Sequence, residues 1–153
     1  MEELIDSWHI NNRVTLYLLE AIPEEHLGCM SHTKGRSVGG LFAHIHRTRL
    51  LWLRSNDRKI YAKQSHIEKA HELTKDILLD ALPKSADGIA ELVRKKEAAG
   101  KSVSGFKPHN AAFLSYLISH ESHHRGQVML VLKQSGHPVD KGVAYGLWEW
   151  GAR

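Results

Sequence analysis

Residues 110–134, NAAFLSYLISHESHHRGQVMLVLKQ, decide how this chain folds. Apolar residues recur there at three- and four-residue spacing, the period of an amphipathic helix and not of a strand. Asn110 opens the segment, Ser135-Gly136 closes it and Pro138 lies behind, which is how helices commonly stop. At about 100° per residue, Phe113, Leu117, His120, His124, Val128 and Val131 fall within about 80° of one another. Two histidines therefore lie on the stripe that this helix turns toward its neighbours.

Working outward, residues 2–22 form another amphipathic segment, with Leu4, Trp8, Thr15, Leu18, Leu19 and Ile22 on one stripe; Pro23 ends it. Residues 23–36, PEEHLGCMSHTKGR, read as a loop. Ser37 is a candidate N-cap for a second helix through Ser55, SVGGLFAHIHRTRLLWLRS. Residues 56–73 are polar; NDRK reads as a turn and the rest as irregular connection. Thr74 caps a short helix through Leu82 that Pro83 ends, and Ser85 or Asp87 opens another through Ala99, closed by Gly100. GKSVSGFKPHN, before the last helix, is a loop. The tail, 137–153, holds Tyr145, Trp148 and Trp150 and is expected to fold back, because exposing two tryptophans is costly.

No stretch alternates apolar and polar residues, and no hairpin signal joins β-branched runs. The expected fold is all-α: a four-helix bundle with a short extra helix and a long crossover connection, one domain over 1–153. Composition narrows the function. Hydrophobic residues at 42% and charged residues at 25% exclude a disordered chain. No apolar run approaches the roughly 18 residues of a membrane span, and the acidic N-terminus is unlike a signal peptide. The lone Cys29 excludes an internal disulfide framework, so the expected address is the cytoplasm. A net charge of +4 with no base-reading motif argues against nucleic acid. The basic run Arg47, Arg49, Arg54, Arg58, Lys59 and Lys63 reads as a solvated face.

The 12 histidines are out of proportion, and the chemistry depends on whether some of them converge. His120 and His124, four apart on one helix, bring their Cβ atoms to roughly 5–6 Å. Two imidazoles at that spacing can share a metal at about 2.0–2.1 Å. They can also be core histidines satisfied by hydrogen bonds. His123 points to the rim or the surface. The second helix offers His44 or His46 on opposite flanks of its stripe, and the wheel prefers His44 only slightly. Three nitrogen ligands would leave a coordination position free, the catalytic arrangement rather than the closed structural one. Gln127 is placed to orient a ligand or a bound water, and Arg125 reads as a structural salt bridge or a helix-packing contact. Glu121 lies about 90° from the ligand direction on the wheel, so no general base is identified and the catalytic groups stay unassigned.

The segments SVGGLFAHIHRTRLLWL and HESHHRGQVMLVLKQSGHPV resemble the DinB / YfiT-like superfamily, with its second-helix histidine and HxxxHRGQ-type sequence. The resemblance implies up-down-down-up connectivity, with residues 56–84 as the crossover, and a metal triad of His44, His120 and His124. It further implies a divalent ion, zinc or nickel ahead of iron or copper, and a homodimer. The activity it suggests is a metal-dependent S-transferase or hydrolase acting on a small molecule with a low-molecular-weight thiol. The alternative is a non-catalytic metal-binding or stress-responsive module.

Overall fold

The computed structural model describes residues 1–32, 34–68, 72–107 and 109–153. Thr33, in the first loop, residues 69–71, in the expected irregular connection, and Pro108, in the loop before the last helix, lie outside the described residues. The helices are α1 (Glu2–Ala21), α2 (Val38–Asn56), α3 (Arg58–Ala62), α4 (Lys75–Ala98), α5 (Asn110–Gln134) and α6 (Lys141–Gly146). No strand occurs among the described residues, and no helix there is long and apolar enough to cross a membrane.

Local chemistry sets the helix ends. Ser37 Oγ accepts from the Gly40 amide at 3.1 Å, and Thr74 caps α4 through the Ile77 amide. α4 and α5 both end in a Schellman motif. Gly100 and Gly136 take φ +63° and +80°, and the amides of Lys101 and His137 return to the carbonyls of Lys96 and Leu132, each at 2.9 Å.

Four expectations about the fold need correction. Residues 23–36 are not all loop: Glu24–Gly28 form a 3-10 helix that buries Leu27. Pro83 does not end a helix: α4 runs through it as one piece, so no short helix over 74–82 exists separately. An interior proline costs about 3 kcal/mol or more. The apolar stripe nevertheless continues on both sides, Leu78, Ala81 and Leu82 before it and Ala86, Ile89 and Val93 after it, all buried. Packing along that stripe overrides the break. Gly88 belongs to the same helix, where a Cβ would come within 3.0 Å of Leu53 Cδ1. Within 56–73, Asp57 caps the short α3 through the amides of Lys59 and Ile60, so this connection is partly helical. The tail does return to the body, with the Arg153 guanidinium 3.7 Å from the Tyr17 ring centroid. Yet Trp148 is 83% exposed and Tyr145 74%; it is Val143 and Leu147 that pack inward.

α1 and α2 each pack against both α4 and α5. The interior holds two apolar clusters. One contains Leu18, Leu19, Phe42, Ile45, Leu78, Leu82, Val128 and Leu132; the other contains Ile5, Trp8, Leu53, Ile89, Val93, Phe113 and Leu117. Along α1 and α5 the chain passes from the second cluster to the first, and along α2 and α4 from the first to the second. Between them, on every long helix, stand buried polar residues: Asn11, Asn12 and Thr15, then Arg49, Ser85, and Glu121 with Arg125.

Candidate metal centre

The polar layer is the scaffold of the site. Glu121 takes Arg49 in a bidentate pair, Nε to Oε1 at 2.7 Å and Nη2 to Oε2 at 2.8 Å. Asn11 Nδ2 donates to the same carboxylate at 2.7 Å. Arg49 Nη1 donates to Asn12 Oδ1 and to the Leu82 carbonyl, and its guanidinium stacks on Trp8. Arg125 Nη1 donates to Asn11 Oδ1 and Thr15 Oγ1, both at 2.8 Å. Burial lowers the Arg125 pKa to about 10. These contacts tie α1, α2, α4 and α5 to one register. Arg49 is therefore fully buried, contrary to its reading as part of a solvated basic run. The sequence signal was an arginine between Ile45 and Leu53 on the apolar stripe, with a carboxylate on the facing helix. Of the two roles expected of Arg125, the structure shows the helix-packing contact, made to α1.

His46 belongs to this layer as well. Its Nε2 donates to the Ser65 carbonyl at 2.7 Å, and its Nδ1 meets Ser85 Oγ at 3.0 Å. Both ring nitrogens are satisfied. Burial drives its pKa down to about 4, so the ring is neutral at pH 7. This bonding occupies both ring nitrogens of His46 in the core, whereas His44 lies beside His120 and His124.

His44 from α2 and His120 and His124 from α5 come together, with one ring nitrogen from each lying within 4.8 Å of the others. Gln127 Oε1, 2.7 Å from His124 Nδ1, can only accept. The His124 proton therefore sits on Nδ1, and Nε2 presents its lone pair. That Nε2 is 3.1 Å from Nε2 of His120, whose buried Nδ1 has no partner among the described residues. Neither tautomer of His120 satisfies this arrangement. A proton on Nε2 leaves an orphan acceptor at Nδ1, and a proton on Nδ1 leaves an orphan donor and two lone pairs face to face. A divalent ion would resolve it: two nitrogens 2.0–2.1 Å from one tetrahedral ion lie about 3.3 Å apart. The donor set thus fits a metal. His123 is exposed, as expected.

All three rings have lowered pKa values. For His44 the cause is burial first, then the Arg36 charge and the neighbouring histidines, which bring it to about 4. For His120, burial leads, followed by the His124 charge; for His124, burial leads, partly offset by the Gln127 hydrogen bond. The rings are neutral at pH 7, the form that binds metal.

The cluster opens on a groove of about 400 Å³ between α2 and α5, lined by His44, Thr48, Leu51, Trp52, Ser55, Tyr116 and His120. Sequence reading missed this aromatic wall. Trp52 packs edge-on against Phe106, Phe113 and Tyr116 at 5.1–6.0 Å between ring centroids. Phe106 gives the 101–109 loop its role, and Asn110 holds that loop through the Val103 amide at 2.7 Å.

An all-helical protein with a three-histidine cluster that could hold a metal ion, open to a groove, is the class that fold and site define. The DinB family model matches residues 1–150, nearly the whole chain, and the chain belongs to the DinB family. No curated protein and no solved structure matches it.

Proposed function

We propose that this chain is a four-helix bundle of up-down-down-up connectivity in which His44, His120 and His124 hold one divalent ion for small-molecule chemistry. The connectivity is supported by the opposite order in which α1 and α5, against α2 and α4, traverse the two apolar clusters. Metal binding rests on one observation: the facing Nε2 atoms beside a buried, partnerless ring nitrogen. The open groove favours an enzyme over an ion that only braces the fold.

Three neutral imidazoles suit zinc or nickel, and also iron or copper. A divalent ion there would supply Lewis acidity, making a water or thiol ligand a nucleophile at neutral pH. The chain's own residues do the rest. Gln127 fixes the His124 tautomer, while Leu51, Trp52 and Tyr116 shield an apolar part of the substrate from water. Thr48 and Ser55 offer hydroxyls for orientation, and no carboxylate among the described residues lines the groove. The family resemblance supports a thiol as cosubstrate, and hence an S-transferase or hydrolase.

Elemental analysis of the purified protein should give about one equivalent of a divalent metal, lost in His120→Ala. A screen of low-molecular-weight thiols with electrophilic acceptors should then show metal-dependent thiol consumption. Full occupancy in the variant rejects the triad, and no turnover by the loaded protein rejects the enzymatic reading.

A further inference from the structure

His44 and His120 line one end of this groove, with His124 beside them. On their far side a second pocket, of about 450 Å³, is lined by His32, Lys34, Arg36, Leu41, Gln127 and Leu130, among others. Leu41 precedes His44 by about one turn of α2, and Gln127 follows His124 by about one turn of α5. The two pockets therefore continue one seam between the two helices, with the rings at their junction. Their linings differ in charge. The first sets Leu51, Trp52 and Tyr116 beside the hydroxyls of Thr48 and Ser55, with Leu51 55% exposed. The second adds two cations, Lys34 and Arg36, and His32 to an apolar floor of Leu41, Leu130 and Val131.

Those cations are unspent. Arg36 and Lys34 are exposed and have no ion-pair partner among the described residues. Among the described residues, neither pocket has an aspartate or glutamate in its lining. The Arg36 charge is also near enough to bear on His44, His120 and His124. An uncompensated guanidinium at one end of a groove and an aromatic wall at the other select a ligand by its polarity.

We propose that this seam binds an elongated amphiphilic carboxylate, its apolar end against Leu51, Trp52 and Tyr116, its carboxylate at Arg36, and its reacting group at the histidines between them. From Leu41 to Trp52 is about 16 Å of helix at 1.5 Å per residue, which sets the length of the molecule. This assignment names the substrate class of the site described above and rests on the reading that the histidines hold a metal.

The probe is 8-phenyloctanoate, about 15 Å when extended at roughly 1.3 Å per bond. Its charge-reversed control is 8-phenyloctyltrimethylammonium. Both are titrated calorimetrically into the full chain, with metal content measured on the same sample. The carboxylate should bind and the cation should not. Affinity should fall about tenfold in Arg36→Ala and also in Leu51→Asp; both residues are exposed, so both variants should keep the wild-type melting transition. Equal binding of the two probes, or wild-type affinity in Arg36→Ala, overturns the proposal. Arg36-dependent binding by a protein that holds no metal sustains the seam and rejects the triad. Full metal occupancy without Arg36 dependence does the reverse.

Discussion

At Arg49 and at His120 the same interior handles polar atoms in opposite ways. Arg49 uses all three guanidinium nitrogens, and Glu121 uses both oxygens, within a network drawn from all four long helices. His120, the residue before Glu121, buries a ring nitrogen with no partner among the described residues and aims the other at a neighbour's lone pair. Unmet polar groups inside a protein cost about 1–3 kcal/mol each. A cluster that carries such a cost beside a fully satisfied one is shaped for something outside the chain. Satisfaction marks the architecture, and frustration marks the ligand site.

The sharpest way to break this comparison is to cut each layer. His124→Ala should abolish stoichiometric zinc or nickel binding while the metal-free protein still unfolds cooperatively; retained metal by elemental analysis would erase the distinction. Glu121→Ala, which strands Arg49, should cost about 3–5 kcal/mol in a denaturant titration. If it costs under about 1 kcal/mol, the satisfied layer is not architectural.

Acid sharpens the contrast further. His46 titrates at about 4 in the fold against about 6.5 unfolded. Between those values the unfolded chain binds the extra proton, so stability is intact above about pH 6.5 and falls as pH drops toward about 4, by on the order of 3 kcal/mol. Urea melts of the metal-free protein over that range should show the slope, reduced in His46→Gln; a slope unchanged in that variant would show that His46 carries a proton in the fold. A smaller effect separates the edge of the site from its centre. Gln127→Ala should weaken metal affinity about 10–100-fold with little change in stability, measured by competition with a chelator. The smallest is at the tail: Trp148→Ser should move stability by less than about 0.5 kcal/mol, since the ring is already in solvent.

Much of this was legible in the residues. The 3.6-residue period placed α1, α2 and α5, with Ser37 and Gly136 marking their ends. HxxxH on the stripe placed His120 and His124 together. What failed has a common cause: local chemistry was read without tertiary packing. Pro83 is a stop signal that a continuous apolar stripe outweighs. Arg49 carries a charge that belongs in water until Glu121 meets it from another helix. Trp148 is apolar, yet smaller residues of the same tail, Val143 and Leu147, are the ones that reach the core. The Arg36 pocket and the aromatic wall are assembled from segments distant in sequence, and no single window displays them.

The layer through Arg49 and Glu121 works as a bulkhead. It parts the oily interior into two compartments, with the aromatic end of the seam beside one and the cationic end beside the other. Substitutions in the two should combine additively. A lineage could thus retune what one end of the ligand must look like without disturbing its grip on the other.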